Sequence, residues 1–167
     1  MDFKVIRATE TYQQAGAYYV RIQAMARQYH ITLREEFDEY DTPDTKYIVI
    51  LDGEFPVATC RLYELPETEE PVPAMMFGRI VVLPEYRKQG LGRLVVTEAE
   101  KWAKELGCQK AVLDSRDVAV GFYEKLGYTA DYSKKVRGWT FNCIHMEKML
   151  EADPAPHNTD SVQSQLP

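Results

Sequence analysis

Residues 79–92, RIVVLPEYRKQGLG, decide the fold that this sequence predicts. An apolar run ends in a proline, a basic turn follows, and Gly90 and Gly92 stand one residue apart before an amphipathic pattern. This order predicts a strand, a tight loop and the N-terminus of a helix. A helix N-terminus presents unpaired backbone N–H groups and the positive end of the helix dipole, and Arg87 and Lys88 add positive charge. The loop is therefore predicted to bind a phosphate or pyrophosphate.

Outward from this stretch, the hydrophobic pattern predicts one α/β domain over residues 1–150. Strands are expected at 3–7, 46–51, 56–65, 74–83, 109–113, 128–132 and 139–149. Helices are expected at 9–29, from 32, at 91–106 and at 117–126, with Thr9 and Thr32 as N-caps. The first helix is expected to bury one stripe of side chains: Tyr12, Ala15, Tyr19, Ile22, Ala26 and Tyr29. Residues 151–167 are polar and proline-containing, and are predicted to be a disordered tail.

Composition narrows the class of protein. Of the 167 residues, 45% are apolar and 28% are charged, which is typical of a soluble globular protein. The net charge of -6 argues against a nucleic-acid binder. No apolar run approaches the roughly 20 residues that span a bilayer, and the N-terminus has no signal-peptide pattern. Cys60, Cys108 and Cys143 are widely spaced and form no metal-binding motif, so we expect free thiols in the cytoplasm and no metal.

Two phosphate-binding patterns can be excluded at the glycine loop. A P-loop requires GxxxxGK[ST], and no Lys-Ser/Thr pair follows Gly92. A dinucleotide fingerprint requires a third glycine where Val95 stands. The loop therefore belongs to neither of these two classes.

A second segment indicates the class that does fit. Residues 122–128, FYEKLGY, follow the loop by about thirty residues. The loop and this segment, in this order, resemble motifs of the GNAT superfamily of acyl-CoA-dependent N-acyltransferases, which implies the acyl-CoA N-acyltransferase fold, a mixed central sheet with helices on both faces. The residues Asp52-Gly53-x-x-Pro56-Val57-Ala58 and Ile144-His145-Met146 further resemble the ElaA-like branch.

The resemblance implies acetyl-CoA as the acyl donor. The pyrophosphate would lie on the backbone of the loop residues Arg87, Lys88, Gln89, Gly90, Leu91 and Gly92. The pantetheine arm would pair with the preceding strand at Ile80, Val81 and Val82, where that strand separates from its neighbour. Many relatives carry asparagine seven residues before the tyrosine of the FY pair, and Arg116 takes that position here. Its guanidinium could donate hydrogen bonds to the pantetheine arm or reach the nucleotide phosphates.

The resemblance also implies a proton donor. The tyrosine of the FY pair is Tyr123, and its hydroxyl would protonate the departing thiolate. Glu64 and His145 are candidate general bases, as are the carboxylates of residues 35–44, the acidic segment. This segment contains Glu35, Glu36, Asp38, Glu39, Asp41 and Asp44, without a lysine or arginine between 35 and 45. Direct capture of a neutral amine with a water relay would need no dedicated base.

The acidic segment predicts a cationic amine as acceptor, because clustered carboxylates attract positive charge. The sequence thus predicts an N-acetyltransferase that works by direct transfer in a ternary complex, since no Cys or Ser triad indicates an acyl-enzyme. A homodimer is expected from the resemblance. Two alternatives stay open: a non-catalytic acyl-CoA sensor, and an interaction protein that binds a basic partner.

Overall fold

The computed structural model describes residues 2–152, which form one seven-stranded mixed sheet. The strands β1–β7 are Phe3–Ala8, Lys46–Asp52, Phe55–Glu64, Ala74–Val82, Lys110–Arg116, Thr129–Arg137 and Asn142–Met149. They lie in the order β1-β2-β3-β4-β5-β7-β6, and every pair is antiparallel except the parallel pair β4–β5. The predicted mixed α/β sheet is confirmed, although β5 and β6 extend further than the sequence predicts and β7 begins only at residue 142.

Four α-helices connect the strands. They are α1, Thr11–Arg21; α2, Leu33–Glu36; α3, Leu91–Glu105; and α4, Val120–Lys125. A π-helical segment, Ile22–Arg27, continues α1. Glu10, and not Thr9, is the N-cap of α1, because it forms a reciprocal capping box with Gln13. Thr32 caps α2 as predicted, since its hydroxyl accepts a hydrogen bond from Glu35 N at 3.2 Å.

Helices cover both faces of the sheet, as alternation along β2 shows. Tyr47 and Val49 form one buried cluster with Ala17 of α1. Ile48 and Ile50 point to the other face and belong to the main core. That core also contains the inward face of α3, which contributes Leu91, Val95, Val96, Ala99 and Ala103. No helix within residues 2–152 is long and apolar enough to cross a membrane.

The predicted buried stripe of the first helix is wrong in most positions. Tyr12 and Tyr19 are 76% and 47% exposed, whereas Ala17 and Val20 are fully buried. The reason is close packing, since a Cβ at Gly16 would lie only 3.3 Å from Pro56 Cβ. Small residues let the helix approach the sheet, and the large tyrosines are displaced to the outside.

Candidate active site

A cleft of about 1250 Å³ crosses the molecule where β4 and β5 separate. At one end it is lined by Arg87 and Gly92 of the glycine loop. At the other end it reaches the acidic segment and the loop between β6 and β7. Tyr123 and Arg116 line the wall between the two ends. The cleft therefore connects the predicted donor site with the predicted acceptor site.

The separation of β4 from β5 has a local cause in the backbone. The parallel pairing covers only Ala74–Phe77 against Lys110–Leu113. The register of β4 against β3 then shifts, and Arg79 adopts φ +50, a left-handed conformation that is costly for a residue with a side chain. Such a bulge bends the strand and ends its pairing. The last residues of β4 are thereby left without a partner on the β5 side.

Backbone alternation shows which groups of β4 face this gap. Leu83 N donates to Val57 O of β3 at 2.8 Å. Successive residues of a strand point their N–H groups to opposite sides, so Val82 directs its N–H away from β3. Val82 O also points to that side, where Arg87 Nε donates to it at 3.2 Å. Val81 instead pairs with Thr59 of β3.

The glycine loop presents free backbone donors to the cleft end. The first bond of α3 runs from Leu94 N to Gly90 O at 3.0 Å, so the N–H groups of Leu91, Gly92 and Arg93 have no acceptor within the helix. Gly90 has φ +80, and a Cβ there would meet nothing within 4 Å. Its surroundings are therefore open to an anion. Gly92 has a different role, since a Cβ there would lie 3.2 Å from Phe122 Cζ.

The two cationic side chains of the loop, Arg87 and Lys88, differ in their hydrogen bonding. Arg87 bonds Gln28 Oε1 at 2.9 Å in addition to Val82 O, so its guanidinium is partly held. Lys88 is exposed, with φ +64. Among residues 2–152 no group of three or more His, Cys, Asp or Glu side chains could hold a metal ion.

Tyr123 lies beside the gap, buried at 8% exposure and packed edge-on against Phe122 and Tyr128. Burial raises the pKa of its hydroxyl well above the ordinary value of a tyrosine, and nearby Cys60 and Cys143 add to the shift. The phenol therefore keeps its proton throughout the neutral range.

Two sequence-predicted bases lie outside the cleft lining. Glu64 is exposed at the end of β3, opposite Met75, so the structure does not bring it to the other candidates. His145 bonds Asp114 through Nδ1 at 3.1 Å and Glu147 through Nε2 at 2.9 Å, so neither ring nitrogen is free for a substrate proton. Asp114, which the sequence analysis missed, does line the cleft.

Half of the carboxylates of the acidic segment form ion pairs with arginines of the same chain. Arg21 bonds Glu36 at 3.0 Å and Asp41 at 2.6 Å, and Arg61 bonds Asp38 at 2.7 Å and Asp41 at 3.0 Å. Arg79 of the bulge bonds Asp38 at 3.2 Å and Glu36 O at 2.9 Å. Three of the six carboxylates are thus neutralised by arginines from α1, β3 and β4. Of these three, Glu36 and Asp38 line the cleft beside Glu35 and Glu39, whose carboxylates have no arginine partner in the described part of the chain.

Burial and these ion pairs have opposing effects on the pKa of each buried carboxylate, and the net direction differs between Glu36 and Asp41. Burial raises the pKa of Glu36, and its arginine neighbours offset only part of that effect. Burial also opposes ionisation of Asp41, but hydrogen bonds from Arg21 and Tyr47 prevail and hold its pKa well below the usual range. The sequence gives no local signal for these pairs, because the partners are distant along the chain.

Comparison with known proteins agrees with this arrangement. The sequence model of the acetyltransferase (GNAT) family matches residues 9–128. The uncharacterised N-acetyltransferase YjcF of Bacillus subtilis is 30% identical over 125 residues, which cover 75% of this chain and 84% of YjcF. The crystal structure of a candidate N-acetyltransferase from Lactobacillus plantarum is 28% identical, with a TM-score of 0.81, and covers 90% of this chain and 100% of its own.

Escherichia coli ElaA shares the fold at a TM-score of 0.68 and 15% identity, covering 88% of this chain and 98% of its own. That identity is evidence for the fold alone, and the ElaA-like branch stays a prediction. Because the family model spans more than half of the chain, the chain belongs to the acetyltransferase (GNAT) family.

Proposed function

We propose that this protein transfers an acetyl group from acetyl-CoA to a primary amine, directly and within the cleft. The observation that carries the proposal is the gap between β4 and β5, which opens beside Tyr123 and leads to the free backbone donors of the glycine loop. Family membership supports the same reaction class.

Acetyl-CoA would be held by backbone more than by side chains. The open surroundings of Gly90 and the unpaired N–H groups at the start of α3 suit a pyrophosphate. Along β4, Ile80, Val81 and Val82 would hold the pantetheine arm. Of these, Val82 directs its N–H and carbonyl groups into the gap.

When bound, acetyl-CoA supplies the acetyl group as a reactive thioester. Tyr123, in the cleft wall beside the gap, donates its proton to the departing sulfur and regains one from water afterwards. The N–H of Val82 donates to the carbonyl oxygen as negative charge develops there.

The acceptor amine would enter at the opposite end as an ammonium ion. Glu35 and Glu39 line that end, and Asp114 lies further along the cleft. Asp114 replaces Glu64 and His145 as the candidate proton acceptor, with His145 holding its carboxylate from behind at 3.1 Å. A water relay would connect the amine proton to Asp114.

We place the protein in the cytoplasm, which its three free thiols support. A homodimer stays a prediction.

The test is amine-dependent release of free CoA, followed with a thiol reagent and confirmed by mass spectrometry of the acetylated amine. A panel of primary amines with and without further charges is required, and we expect turnover of at least one cationic amine. Acetyl-CoA binding without acetylation of any amine would favour the sensor alternative. No acetyl-CoA binding at all would favour the interaction protein.

A further inference from the structure

Arg116 is a half-buried arginine in the cleft that has no carboxylate within 4.0 Å among residues 2–152. The contrast with Arg21, Arg61 and Arg79 is direct, because each of those bonds two carboxylates or a carboxylate and a backbone carbonyl. A partly desolvated cation without a counter-ion is unfavourable. Arg116 therefore provides a charge that a ligand can match.

The guanidinium of Arg116 is also held in a fixed orientation. Its central carbon lies 4.1 Å from the ring centroid of Phe141 and 4.9 Å from that of Tyr29. Nη1 donates to Tyr29 OH at 3.3 Å, and Nε is buried without any hydrogen-bond partner. Three of the five N–H donors, all on Nη1 and Nη2, thus remain available on a fork held by two rings. Such a fork matches the paired oxygens of a carboxylate or phosphate.

The rings that hold Arg116 come from the acceptor end of the cleft. Phe141 lies in the β6–β7 loop, where the neighbouring Thr140 donates to Glu35 of the acidic segment at 2.9 Å. Two further arginines, Arg34 and Arg137, line the cleft without a carboxylate within 4.0 Å in the described part of the chain. Within residues 2–152, the acceptor end therefore combines carboxylates that have no arginine partner with arginines that have no carboxylate partner.

We propose that Arg116 binds an anionic oxygen group of the acceptor, so that the substrate class is amines that also carry a carboxylate or a phosphate. This inference rests on the proposed function. It assigns the two charges of the acceptor to different groups: Glu35, Glu39 and Asp114 attract the ammonium, and Arg116 fixes the anion. It also gives Arg116 a role other than contacting the pantetheine arm.

The experiment uses two matched pairs of probes with CoA-loaded protein, measured by calorimetry. L-phenylalanine against L-phenylalaninamide tests the carboxylate, and glucosamine 6-phosphate against glucosamine tests the phosphate. We expect at least one probe that carries the carboxylate or phosphate to bind about tenfold or more tightly than its partner without that group. Arg116→Gln should lower the affinity for that probe by about 10- to 100-fold, the usual effect of losing charge-assisted hydrogen bonds. It should leave the affinity for acetyl-CoA unchanged.

Two further variants test whether binding depends on the planar N–H donors of Arg116 or only on its positive charge. Arg116→Lys keeps the charge without the planar donors and should recover only part of the affinity. Arg27→Gln removes an exposed arginine outside the cleft lining and should change nothing. Equal binding within both pairs, or no binding of either anionic probe, would overturn the inference. So would an Arg116→Gln variant that loses acetyl-CoA affinity but keeps the preference. Failure of wild-type protein to bind acetyl-CoA would instead overturn the proposed function.

Discussion

Single residues at this site gain their properties from burial and packing. Tyr123 could be located from the FYEKLGY segment, but its raised pKa depends on the apolar surroundings that only the fold provides. Gly90 and Gly92 look alike in the sequence, yet one faces open space and the other makes room for Phe122. Glu64 and Asp114 show the limit of residue-level reasoning: residue type suggested the first, and position in the cleft favours the second.

Replacing Tyr123 by Phe removes the proposed proton donor and little else. We expect turnover to fall about 100-fold or more, since general acid catalysis contributes a factor of this order, while acetyl-CoA affinity stays the same. Because the pKa of Tyr123 is raised, its ionisation should not limit the rate at any pH below about 10, the ordinary tyrosine value. Steady-state kinetics and calorimetry together measure both quantities.

Tyr128→Phe is the matched control. Its hydroxyl is also buried beside Tyr123 but bonds Glu100 at 2.9 Å and lies outside the cleft lining. It should lower stability and preserve turnover. Equal turnover in wild-type protein and Tyr123→Phe would remove Tyr123 from the mechanism.

At the scale of elements, local sequence patterns predicted the positions of the helices and strands, but not the contacts between residues that are distant along the chain. Alternation and helical periodicity placed all seven strands and the helices, because these signals lie within a few residues of one another. Periodicity did not choose the buried face of α1, since apolar residues occupy both of its faces. The bulge at Arg79 and its ties to the acidic segment were missed, because they join α2 and the segment after it to β4 from about forty residues away.

The arginine–carboxylate network that holds the acidic segment is predicted to stabilise the fold in a pH-dependent way. Asp41→Asn leaves Arg21 and Arg61 without a shared buried partner and should lower the free energy of unfolding by about 3 kcal/mol at pH 7. The pKa of Asp41 is depressed in the folded state, so its contribution is present above the unfolded value of about 3.9 and is lost as pH falls below it.

Urea unfolding at pH 7 and pH 3 measures this effect. The difference between wild type and Asp41→Asn should shrink by about 1 kcal/mol at pH 3, because each pH unit below the unfolded pKa costs about 1.4 kcal/mol. Asp44→Asn, an exposed carboxylate of the same segment, should show almost no difference at either pH. A wild-type-to-Asp41→Asn difference that stays constant between the two pH values would contradict the assignment.

For the whole molecule, the loop and the FYEKLGY segment predicted the fold through their resemblance to GNAT motifs, and the structure places both along the same cleft. The donor end of the cleft follows from this order of elements. The acceptor end does not, since it is assembled from α2, the acidic segment, β5 and the β6–β7 loop. The predicted tail, residues 151–167, lies almost entirely outside the described residues, and the 1–150 domain boundary stays a prediction.

We propose above all that the end of the cleft at Gly90 binds the pyrophosphate of acetyl-CoA. Gly90→Glu puts a side chain and a negative charge where the anion would lie, and juxtaposed like charges cost enough to weaken binding about 100-fold or more. Gly107→Glu is a close control: Gly107 ends the same helix with φ +87 and open space around it, but lies away from the cleft.

Calorimetric titration of acetyl-CoA into wild-type protein and both variants is the most direct measurement. We expect wild type and Gly107→Glu to bind acetyl-CoA with similar affinity, and Gly90→Glu to lose binding. Equal affinity of Gly90→Glu and wild type would contradict it.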